Sequence, residues 1–103
     1  MNRISIELVK GAPQTVNVNP PVPINEFECK IEVSELLLNK SISLLASDLR
    51  GHTRTEHVKL EEKIQSFIFT NMGGDSWDWN WEVVDITIEP IDFDKSYIGL
   101  SIN

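Results

Sequence analysis

Apolar and polar residues alternate along much of the early chain. Ile4-Ser5-Ile6-Glu7-Leu8 changes class at every step, as a strand with one buried face does, and Gly11 to Pro13 interrupts it. A second short alternation, Thr15 to Asn19, runs into Pro20-Pro21-Val22-Pro23. Proline has no amide hydrogen for a sheet ladder, so that stretch reads as an extended edge or a crossing loop. From Glu26 to Ser34 the alternation is strict: Phe27, Cys29, Ile31 and Val33 share one parity, and Glu26, Glu28, Lys30, Glu32 and Ser34 the other. This is the strongest strand pattern in the chain.

Beyond Ser34 the spacing changes. Leu38, Ile42, Leu45 and Leu49 recur at steps of four, three and four, which predicts a helix from Ser34 or Glu35 to a stop at Gly51. The same residues also admit a hairpin through Asn39-Lys40, because Ser41 and Ser43 alternate with Ile42 and Leu44. Thr53-Arg54-Thr55-Glu56 matches a capping box, so a second helix is expected there. Leu60, Ile64, Phe67 and Ile68 would form its apolar stripe and Gly73-Gly74 would end it. The last third reads as a long strand from about Trp77 to Glu89, a turn through Pro90 to Lys95, and a closing strand in which Ile98, Leu100 and Ile102 share a face.

Strands, a helical middle and strands again predict an α+β domain. The expectation is a mainly antiparallel sheet of about four to five strands with one or two helices packed on one face, in the order β-β-β-α-α-β-β. With 103 residues and 41% hydrophobic content, residues 1-103 should form a single compact domain.

Inside the long strand the apolar set changes parity. Trp77, Trp79, Trp81 and Val83 are odd, whereas Val84, Ile86 and Ile88 are even. A β-bulge near Val83-Val84 would bring all seven to one core face, with Asp78, Asn80, Glu82, Asp85 and Glu89 outside. A regular strand would instead turn the tryptophans to the face opposite the core. Three indoles carry so much apolar area that burial of at least two is the simpler outcome. An exposed set flanked by acids would resemble a binding hot spot with a charged rim.

Charge sharpens this picture. The formal net charge is −7, and between Ile64 and Asp94 no lysine or arginine offsets seven acids: Asp75, Asp78, Glu82, Asp85, Glu89, Asp92 and Asp94. The remaining segments balance, nine basic residues against nine acidic. Such a segment repels nucleic-acid phosphates and anionic lipid surfaces and draws in basic ones, so neither direct nucleic-acid binding nor membrane binding is expected. No apolar run approaches the ~18 residues of a membrane span, and the first ten residues lack a secretory apolar core. A cytoplasmic protein is the expectation, and the lone Cys29 suits a reducing compartment as a small core hydrophobe.

Candidate chemistry is sparse. His52 and His57, with Asp48 and Glu56 nearby, invite a metal site or a general base, but the pair straddles the predicted helix start and no third ligand cluster supports it. Both histidines therefore read as solvated. Asp75-Ser76-Trp77-Asp78-Trp79-Asn80 lacks calcium-loop spacing and a following glycine. Gly73-Gly74 has no phosphate-loop lysine, and no serine sits in a nucleophile elbow. Neither cofactor nor metal is expected, and nothing marks an enzyme.

The leading expectation is a small acidic, non-catalytic protein-interaction module that binds a basic protein surface, on the physical plan of inhibitors, immunity proteins and DNA mimics. Its partner-binding residues would be Asp75, Trp77, Asp78, Trp79, Asn80, Trp81, Glu82 and Asp85. A structural subunit of a homo-oligomer or phage-type assembly is the second expectation, and a carbohydrate-binding domain the third.

Overall fold

The computed structural model describes residues 3-70 and 80-102. Eight strands follow one another: β1 (Ile4–Val9), β2 (Gln14–Pro23), β3 (Glu28–Glu32), β4 (Ser41–Ser47), β5 (Thr53–Lys59), β6 (Ile64–Ile68), β7 (Glu82–Pro90) and β8 (Lys95–Ile102). They form two four-stranded antiparallel sheets, in the orders β1-β8-β3-β6 and β2-β7-β4-β5. Strand one pairs with eight, two with seven, three with six and four with five. The chain is thus a single nested hairpin folded over on itself, the winding of a jelly roll.

The expected α+β class is overturned, because the only helical element among the described residues is one 3₁₀ turn at Glu35–Leu37. Both predicted helices are strands. In the first, the supposed stripe is divided: Ile42 is buried, Leu38 and Leu45 are half-buried, and Leu49 is 89% exposed. The working pattern there has period two, with Ile42, Leu44 and Ala46 inward and Ser41, Ser43, Leu45 and Ser47 outward. Asn39, at φ 71°, makes the left-handed turn that leads into it. In the second, Leu60 is buried while Ile64 and Ile68 are each 54% exposed. The capping-box glutamate pairs elsewhere, since Glu56 Oε1 accepts from Arg54 Nη2 at 2.8 Å. Arg54 and Glu56 lie opposite Ala46 and Leu44, on the inward side of edge strand β5, a position where charge discourages pairing with a further strand.

A sheet with one apolar face must cover it, and here each sheet covers the other. One core cluster joins them: Ile6, Leu8, Cys29, Ile31, Ile98 and Leu100 from the first sheet meet Val18, Ile42, Leu44, Val83, Ile86 and Ile88 from the second. Cys29 is fully buried, and burial, with Glu28 beside it, pushes its thiol pKa up to about 12, so it packs as the apolar residue the pattern suggested. On the outer face of the first sheet, Arg3 crosses above Gly99 to reach Glu32 at 2.6 Å; a Cβ at Gly99 would lie 2.6 Å from the Arg3 guanidinium.

The parity slip in the last third is resolved by a register break. Asn17 pairs with Asp85 but Val22 with Val83, so β2 spends four residues where β7 spends only Val84. Across this break Trp81, Val83, Ile86 and Ile88 are all buried, and Asn80 and Glu82 are exposed. For these residues that is the bulged arrangement, whereas Val84, expected to join the core face, is only half-buried and lines a surface cleft. Trp77 and Trp79 lie outside the described residues.

Truncating the shared core should be costly. Ile88→Ala removes a fully buried side chain at the centre of the second sheet and should lower unfolding free energy by about 2–5 kcal/mol. Urea titration followed by tryptophan emission measures this; a loss below about 1 kcal/mol would contradict burial between two sheets.

Candidate functional site

Where β2 ends, β7 begins and β4 turns into β5, the structure opens a cleft of about 370 Å³. Pro21, Pro23, Leu49, Trp81 and Val84 supply its apolar walls. Asn25, Asp48, Arg50, Asn80 and Glu82 supply its polar groups. The volume lies within the usual range for ligand sites, roughly 300–1,000 Å³.

Each wall has a local cause. Pro20 and Pro21 lie within the register break, and Pro23, just after it, stands opposite Glu82 without an amide hydrogen to donate. Ile24 N donates to the Trp81 carbonyl at 3.0 Å, which ties the exit of β2 to the entry of β7. The β4–β5 turn is organised by Asp48, whose side chain is only 7% exposed. Its Oδ1 accepts from the amides of Arg50 at 2.9 Å and His52 at 2.8 Å, while Oδ2 lies 2.7 Å from His52 Nδ1. Gly51, at φ +93°, adopts the left-handed backbone that the turn requires. Burial raises the Asp48 pKa, but hydrogen bonds from the His52 ring and from the His52 and Arg50 amides outweigh it, and the net shift is downward. Asp48 is therefore an anion at neutral pH, and the Nδ1 hydrogen of His52 faces it.

His52 also stacks on Trp81, with ring centroids 5.9 Å apart and an interplanar angle of 12°. Trp81 is 8% exposed, so the indole is a wall locked from behind by an imidazole that Asp48 orients. The sequence suggested solvated histidines; His52 is instead the link between the turn and the tryptophan. His57 stands apart, exposed on β5 opposite Ser43. Among the described residues no group of His, Cys, Asp and Glu is arranged to hold a metal ion.

Of the residues singled out from sequence, Asn80, Trp81 and Glu82 line the cleft. Asp85 lies on the outer face of the second sheet, where it accepts a hydrogen bond from Ser47 Oγ. Asp75, Trp77, Asp78 and Trp79 lie outside the described residues. Two other acids of the anionic segment serve the fold: Glu89 Oε2 accepts from Gly11 N at 3.0 Å and Asp92 Oδ1 from Ser41 N at 2.7 Å. The four lysine or arginine ion pairs among the described residues involve Glu7, Glu32, Glu35 and Glu56, and none reaches the acids of β7.

Pattern reading missed Pro21, Pro23, Asn25, Asp48, Leu49 and Arg50, which reach the cleft from segments remote from the tryptophans. The available signal was the Asp48-Leu49-Arg50-Gly51-His52 string itself, a turn with its own acceptor and glycine. Among the described residues, the side chains of Arg50 and Glu82 form no hydrogen bond or ion pair. The cleft thus offers apolar walls, two side-chain amides and two uncommitted charges, which bind by burial, hydrogen bonding and Coulomb attraction.

The Asp48 shift has a signed consequence. A carboxylate whose folded pKa is depressed stabilises the fold above its unfolded pKa of about 3.9, and that contribution disappears as pH falls through the lower folded value. The urea midpoint of Asp48→Asn should therefore approach that of the wild type as pH drops below about 4. Equal midpoint differences at pH 7 and at pH 2 would refute the charged role.

No protein-family model matches the chain, and neither the curated proteins nor the solved structures contain a match.

Proposed function

We propose that this chain is a non-catalytic interaction module that docks a basic protein surface, with the contact centred on the cleft at the Trp81 end of the second sheet. The observation that supports this reading most is the juxtaposition in that cleft of apolar walls, among them the buried Trp81 and the exposed Leu49, with the uncommitted carboxylate of Glu82 and the fixed anion of Asp48. Preformed apolar area supplies affinity at the centre of an interface, and unpaired charge beside it steers and selects the partner. The excess of acids over bases in the chain, 16 to 9, extends that steering beyond the cleft.

The chemistry of sugar stacking is less well served. Trp81 gives one ring face to His52 and keeps little exposed area. A homo-oligomer draws support from a separate feature, the edge strand β6, whose Ile64 and Ile68 are half-exposed on the outer face of the first sheet.

Proteins retained by the immobilised chain from a cell extract should be enriched in basic sequences and should elute as salt rises from about 50 to 300 mM, because the Debye length falls below the reach of exposed charges. Glu82→Gln should weaken their retention, with Glu7→Gln, on the opposite sheet, as the control. Retention that ignores both salt and Glu82 would sink the docking reading. Light scattering addresses the other possibility: a stable dimer that reverts to monomer on Ile64→Lys would transfer the case to self-assembly through β6.

A further inference from the structure

We propose that the cleft is a receptor for one arginine side chain presented by the partner, an inference that rests on the docking reading above and assigns the chemistry of its central contact. The residues fall into two zones. Pro21, Pro23 and Leu49, with the small exposed part of Trp81, give a surface on which three methylene groups can lie, and the volume of about 370 Å³ accommodates a single long side chain rather than a helix or a strand. Glu82, exposed and uncommitted, gives a carboxylate whose two oxygens match the fork of a guanidinium. Asn25 and Asn80 add amide oxygens able to accept from the remaining donors.

Charge decides the sign of the ligand. Asp48 is ionised, and both its oxygens are committed to its own turn, so it contributes field without competing for the ligand's hydrogen bonds. Arg50 opposes a cationic guest, but among the described lining residues one guanidinium faces two carboxylates, a net negative charge. Arg50 and Glu82 form no ion pair with each other. Arginine is favoured over lysine because a planar, weakly hydrated guanidinium loses less on entering a site walled by proline and indole and binds a carboxylate through two parallel hydrogen bonds.

Titration of the intact chain with N-acetyl-arginine-methylamide, followed by amide and indole proton shifts, tests this directly. Saturable shifts confined to Asn80, Trp81, Glu82 and the Asp48–His52 turn are expected. The lysine analogue should bind several-fold more weakly and the glutamate analogue not at all. Glu82→Gln should weaken the arginine analogue by about tenfold and Arg50→Gln should tighten it; both positions are exposed, and unchanged shifts elsewhere report that the fold is intact. Equal response to all three analogues, preference for the glutamate analogue, or indifference to Glu82→Gln would each overturn the assignment. The two readings fail separately. Salt-sensitive capture of basic proteins without arginine-analogue binding in the cleft would refute the receptor and leave docking standing, whereas a filled cleft with no basic protein retained would refute docking.

Discussion

One constraint governs the molecule: two half-apolar sheets share a single interior, so each strand must send every second side chain to the same side along its whole length. Ile6 and Leu8, Cys29 and Ile31, Ile42 and Leu44, Ile98 and Leu100 obey it by simple alternation. β7 cannot, because its apolar residues change parity between Val83 and Val84. The parity of β7 changes where its register with β2 breaks, β2 taking up four residues against Val84 alone. With strict alternation through β7, either Trp81 and Val83 or Ile86 and Ile88 would face solvent, and the core would lose several kcal/mol of burial at about 25 cal/mol per Å².

The same accommodation makes the cleft. Extra chain in β2, stiffened by prolines that leave the ladder unpaired, spreads away from the start of β7 and leaves a gap bounded on its third side by the β4–β5 turn. Asp48 converts that turn into a fixed wall by accepting from two amides and orienting His52 against Trp81. The packing of the fold and the lining of the cleft are therefore coupled here. The carboxylate that closes the turn also places negative charge beside the cleft, and the indole that completes the core also lines it.

The middle of the chain shows why local periodicity misleads. A four-three-four spacing of leucines satisfies a helix, yet S-I-S-L-L-A-S satisfies a strand equally well, and nothing within a dozen residues chooses between them. What chooses is β7, which pairs with β4 across some forty residues of sequence, and the opposite sheet, which accepts Ile42, Leu44 and Ala46 on one face. Thr53 to Glu56 fits a cap equally well in isolation, but its partner strand draws it into a ladder opposite Leu44 to Ser47. Non-local hydrogen bonding and burial outweigh helix-start chemistry worth only about 1 kcal/mol.

By itself, the sequence determined the strands whose alternation is unambiguous, β1, β3 and β8, the burial of Cys29, and the anionic character of the last third. It also singled out Asn80, Trp81 and Glu82, which line the cleft, and identified the parity slip that a bulge would repair. Only the tertiary structure decided that the middle is sheet, that two sheets replace a sheet and helices, and that Pro21, Asp48 and Arg50 meet Trp81. The reason is physical: which side of a strand is apolar is written in adjacent residues, whereas the strand it pairs with, and the gap left where pairing fails, depend on residues 38 to 74 positions away.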